Sequence, residues 1–135
     1  MYLGKAAPEI GAILVVDDEQ SVRRLVVRIL QRFGFLTFEA ANAREAEEIF
    51  QTHQPSISLL LTDYHMVDSD NGWNLAQNLR GRKAALKIIY MSGHVDDLLQ
   101  HGDRLIPGID LVTKPFTHTV LLRAVCSRLN LPLVD

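Results

Sequence analysis

The chain has 135 residues, 47% hydrophobic and 22% charged, which is globular composition with length enough to bury one core without disulfide or metal staples. A formal charge of -2 excludes bulk attraction to nucleic acid or anionic membrane. The single cysteine, Cys126, cannot form an internal disulfide, and no apolar run approaches the ~20 residues that span a bilayer. A cytoplasmic protein with no membrane insertion is expected.

Residues 1–10, with Gly4 and Pro8 and no apolar period, read as a leader or linker. A short run of Ile, Leu and Val at 13–16 then predicts a strand covered on both faces, as in a parallel sheet. Val22, Leu25, Val26, Ile29, Leu30 and Phe33 share one face of a helix that Gly34 closes. Residues 35–38 form a weaker strand candidate. Asn42 caps a second helix with Glu45 three residues on, and Ala46, Ile49 and Phe50 make its apolar stripe. Residues 57–61 predict a third strand, 71–80 a third helix with Trp73 and Leu75 on different faces, and 86–91 a fourth strand broken only by Lys87. A short helix near 95–100 and a weaker strand at 109–112 come next. Thr117 caps a last helix whose Val120, Leu121, Ala124, Val125 and Leu129 turn inward until Pro132 prevents continuation. One domain over 11–130, with a tail at 131–135, accounts for the chain.

Five strands alternating with five helices imply right-handed crossovers and a doubly wound α/β fold, a parallel sheet with helices on both faces. Ligands of such sheets gather outside the carboxyl ends of the strands. The first strand ends in Asp17, Asp18 and Glu19 and the third in Asp63. Converging carboxylates repel, and a hard cation with oxygen ligands relieves the repulsion, for which Mg²⁺ fits best. The fourth strand ends at Ser92 and Gly93, the fifth at Lys114. A hydroxyl and an ammonium can each take a phosphoryl oxygen while the cation holds a third. Singly, each residue has a plain reading: Asp17 as a helix cap, Asp63 and Ser92 as turn residues, Lys114 as a solvated cation. As a set they read as phosphoryl transfer to a carboxylate.

The pattern Asp17-Asp18-Glu19, Leu61-Thr62-Asp63, Met91-Ser92-Gly93 and Lys114-Pro115-Phe116 resembles the receiver domain of two-component response regulators over about residues 11–130. The resemblance implies the flavodoxin-like strand order 2-1-3-4-5. It implies a phosphoacceptor, not a turnover enzyme, that takes a phosphoryl group onto Asp63 from a sensor histidine kinase or a histidine phosphotransfer protein. Asp18 would bind Mg²⁺ directly, Asp17 mainly through a water, Asp63 as both ligand and nucleophile, and the backbone carbonyl of His65 would complete the protein ligands. Ser92 would turn toward the phosphoryl group, Lys114 would pair with it, and Lys114-Pro115 would be a cis peptide. The stretch 91–116, with its Pro107-Gly108, looks most like receivers of hybrid sensor kinases.

Three features depart from the family pattern. Leu111 stands three residues before Lys114, where the family usually carries Tyr or Phe, so Tyr90 and Phe116 are left as core aromatics. Val67 replaces a common proline, and Gly72 comes one residue late. His65 and His94 lie two residues beyond Asp63 and Ser92, positions that in the family influence how fast phosphate is lost. Asp68 and Asp70 read as a solvated acidic turn, Cys126 as a small buried hydrophobe, and His53, His101 and His118 show no ligand spacing. A haloacid-dehalogenase-type enzyme would need an acid where His65 stands, and a nucleotide-binding module would need a glycine-rich loop where the acids stand. Direct DNA contact would need a basic face or an added helix-turn-helix. The rival is a receiver-fold binding module acting independently of phosphorylation; a homodimer is left open.

Overall fold

Apolar runs short enough for strands form one sheet here, and the amphipathic stretches between them cover it. The computed structural model describes residues 10–66, 71–93, 105 and 110–132. In order they form β1 (Ala12–Val16), α1 (Gln20–Arg32), β2 (Leu36–Ala40), α2 (Ala43–His53), a 3-10 turn (Gln54–Ser56), β3 (Ile57–Asp63), α3 (Gly72–Arg82), β4 (Lys87–Ser92), β5 (Leu111–Thr113) and α4 (His118–Arg128). The helix expected near 95–100 lies outside the described residues, as do Val67, Asp68, Asp70, His94, His101, Pro107 and Gly108.

Every pairing is parallel and the order is β2-β1-β3-β4-β5, the expected doubly wound, flavodoxin-like arrangement. Successive strand residues point to opposite faces, which divides the core into two layers. Ile13, Val15, Leu59, Leu61 and Ile89 meet Val26, Leu30, Leu121 and Val125 from α1 and α4. Leu14, Val16, Leu60, Ile88 and Tyr90 meet Ala46, Phe50, Leu75 and Leu79 from α2 and α3. Helix ends follow local chemistry. Asn42 Oδ1 accepts the Glu45 N–H at 2.9 Å, Glu45 Oε1 accepts the Ala41 N–H at 2.8 Å, and Thr117 Oγ1 accepts the Val120 N–H at 3.2 Å. Gly34, at φ 90°, adopts the left-handed turn that ends α1.

Two inward assignments are corrected. Leu25 is 48% and Val120 43% exposed, while Val27, Leu122 and Cys126 are buried. On α1, Leu25 and Val27 lie about 100° to either side of Val26, and the covered edge is that of Val27. On α4 the buried stripe runs toward Leu122 and Cys126, leaving Val120 on the far edge. Apolar period marks a stripe, but not which of its edges the sheet covers.

Candidate functional site

Parallel register brings the chemistry together. Val16 pairs with Thr62, Asp63 with Met91 and Ser92 with Thr113, so the residues that end β1, β3, β4 and β5 meet along one edge of the sheet. Asp17, Asp18 and Asp63 each present a carboxylate oxygen, and these lie within 4.8 Å of one another. Asp17 and Asp63 are buried and Asp18 half-buried. Lys114 Nζ donates to Asp17 Oδ2 at 2.9 Å and lies 3.5 Å from Asp63 Oδ1. Its backbone N–H donates to the carbonyl of Ser92 at 2.7 Å, and Lys114-Pro115 is cis. Ser92 is buried at the end of β4. The cleft above these groups, of about 500 Å³, is lined by Asp18, Glu19, Asp63, His65, Met66, Gly93 and Lys114.

Asp17 does not cap α1. Glu19 holds that position without a side-chain bond, and Asp17 Oδ1 instead accepts the Glu19 N–H at 2.9 Å. Two residues at the site carried no side-chain signal in the sequence. Arg23 donates through Nη1 to the Asp17 carbonyl at 2.8 Å and through Nε to Glu39 at 3.2 Å. Gly72 donates its N–H to the Tyr64 carbonyl at 2.8 Å, and a Cβ there would lie 2.1 Å from the carbonyl oxygen of Asp63. Leu111 is buried beside Tyr90, which stacks on Trp73 at 5.7 Å and meets Tyr64 edge-on at 5.7 Å.

Burial pushes the Asp63 carboxyl up to about 6; Lys114 opposes the rise, and the charges of Asp17 and Asp18 add to it. Burial also works against the Lys114 ammonium, yet Asp17 and Asp63 together outweigh it and hold its pKa above the usual value. Three acids against one ammonium leave an excess of negative charge in a partly dry cleft. The donor set is oxygen throughout, so these residues fit a hard divalent cation and not a soft one.

Residues 13–126 match the response regulator receiver domain family. The chain is 31% identical over 107 residues to the sensor kinase CckA of Brucella abortus (strain 2308), covering 79% of this chain and 11% of that protein. It is 30% identical over 113 residues to the transcriptional regulatory protein FixJ of Rhizobium meliloti (strain 1021), covering 82% and 53%. The chain therefore spans about half or less of these relatives. Among solved structures, a response regulator receiver protein from Sinorhizobium medicae WSM419 superposes with TM-score 0.77 at 28% identity, covering 89% of this chain and 94% of that one. The receiver domain of the hybrid histidine kinase CckA gives 0.73 at 28% identity, covering 88% and 99%. A parallel sheet in the order 2-1-3-4-5, with three acids and a lysine gathered at its carboxyl edge, thus comes with a family match over most of its length: the chain belongs to the response regulator receiver domains of two-component systems.

Proposed function

We propose that Asp63 accepts a phosphoryl group from a sensor histidine kinase or a histidine phosphotransfer protein, in a domain that spans residues 11–130. An oxygen of Asp63 attacks phosphorus, a P–O bond forms, the P–N bond to the donor imidazole breaks, and the imidazole nitrogen keeps the electron pair. Asp17, Asp18, Asp63 and the His65 backbone carbonyl would hold Mg²⁺, which when bound neutralises charge on the transferring phosphoryl oxygens. Lys114 and the Ser92 hydroxyl take the other oxygens. The observation that carries this reading is the position of Lys114, 2.9 Å from Asp17 and 3.5 Å from Asp63: one ammonium already bridges the acids, ready to pair with a dianion that forms between them.

The test uses acetyl phosphate and Mg²⁺ with detection by intact mass. A single acid-labile phosphoryl adduct is expected, absent with a chelator and absent in Asp63→Asn. An adduct that survives in Asp63→Asn, or no adduct at any Mg²⁺ concentration, refutes the assignment.

A further inference from the structure

Asp17 and Asp18 lie on the loop between β1 and α1 and face a third acid across the cleft. Without a cation, mutual repulsion drives that loop outward. Lys114 counters it through the Asp17 carboxylate, the atom set a cation would also use. Arg23 counters it elsewhere. Its backbone N–H donates to the Glu19 carbonyl at 3.0 Å, while its guanidinium donates to the Asp17 carbonyl at 2.8 Å, so residues 17–19 are clasped between main chain and side chain of one residue. The other edge of the guanidinium meets Glu39 Oε1 at 3.2 Å, near the end of β2, and the Arg23 side chain is only 13% exposed. Beside it, the Asp17 N–H donates to the Ala40 carbonyl at 3.2 Å. Arg24 also approaches Glu39, at 3.8 Å, but is 61% exposed and adds little.

We propose that Arg23 is a positioning residue for the cation site: it ties the backbone of the acidic loop to the end of β2 through Glu39, and so keeps Asp17 and Asp18 aimed into the cleft. The inference rests on the reading of that cleft as a Mg²⁺ site. Arg23 bonds a carbonyl and not a carboxylate, so it takes no ligand atom from the cation, and its hold persists when the cation arrives. A planar fork suits two acceptors on different elements, the loop after β1 and the end of β2; a lysine offers a single point charge and satisfies one of them.

Calorimetric titration of the whole chain with Mg²⁺ alone reads the effect directly. Arg23→Ala is expected to weaken Mg²⁺ binding by about tenfold, as loss of a group that orients metal ligands does. Phosphorylation by acetyl phosphate should return to near the wild-type rate once Mg²⁺ saturates, because the defect lies in ligand placement. Arg23→Lys should lie between, and Glu39→Gln should be milder than Arg23→Ala. A folded Arg23→Ala with a lower melting temperature but unchanged Mg²⁺ affinity would reduce Arg23 to a structural role and overturn the inference. Should Arg23→Ala not fold, unchanged affinity in both Arg23→Lys and Glu39→Gln overturns it equally. Wild-type protein that binds no Mg²⁺ defeats the reading of the cleft itself, a result distinct from any ordering among variants.

Discussion

At Asp63, burial and two neighbouring acids resist ionisation and one lysine favours it, and the balance leaves its pKa at about 6 against a model-peptide 3.8. The sign of the pH effect follows. The folded chain keeps a proton that the unfolded chain releases between pH about 4 and 6, so this group's contribution to stability is present at the acid end and is lost as pH rises through about 6. Asp63→Asn carries no such charge and is expected to be more stable than wild type near neutral pH, by about 1–3 kcal/mol, with the gap closing toward pH 4. Urea denaturation of both proteins at pH 4.5 and 7.5 measures it; equal pH dependence in the two would contradict the assignment. Asp17, Asp63, Ser92 and Lys114 were legible because each ends or follows an apolar run, and strand ends in a parallel sheet converge. Arg23 was not, because its partner at the site is a main-chain carbonyl, which no side-chain pattern announces. The position of Leu111 was legible as a departure, and burial beside Tyr90 shows it filling core space.

Elements meet the site through their ends, and α3 does so most tightly. Its first residue, Gly72, lies so near β3 that any Cβ would strike the carbonyl of Asp63 at 2.1 Å. Backbone cannot swing aside as a flexible side chain can, so Gly72→Ala must push α3 or β3. A loss of about 2–3 kcal/mol in stability is expected from such overpacking, with slower phosphorylation at saturating Mg²⁺; unchanged stability by denaturant titration would show that the helix end yields freely. The sequence held the glycine but not the angle at which the helix docks, which is fixed by Leu75, Ala76 and Leu79 seating against the sheet. At the other end of α3, Lys83 donates from Nζ to the carbonyls of Gln54 and Ile57, fastening the helix to the start of β3. Lys83→Met keeps the aliphatic stem but takes the ammonium from both carbonyls, of which that of Gln54 still accepts the Ile57 N–H, so a loss of about 1–3 kcal/mol is expected; a change within experimental error would show that water replaces the ammonium at no cost. The same dependence on docking explains Leu25 and Val120, apolar residues within helical period that solvent nonetheless reaches.

For the whole molecule, strand order decides what the chain can bind. β1 lies between β2 and β3, and the connections leaving β1 and β3 run to opposite faces of the sheet, α1 to one and α3 to the other. The crevice between those departures is where residues 17, 18 and 63 come together, although 45 positions (63 − 18) separate the last two in sequence. An unfolded chain has no such cluster, so a cation that binds the folded site stabilises the fold by mass action, about 2.7 kcal/mol at a concentration 100 times its dissociation constant. Thermal unfolding at pH 7.5 should therefore shift upward with Mg²⁺ and return with a chelator. The shift should shrink at pH 5, because the cation then competes with the proton that Asp63 holds up to about pH 6. Asp18→Asn removes one charge from the least buried of the three acids, disturbs packing least, and should abolish most of the shift while leaving the metal-free melting temperature near wild type. A Mg²⁺ effect of equal size in Asp18→Asn would place the bound cation somewhere other than this crevice.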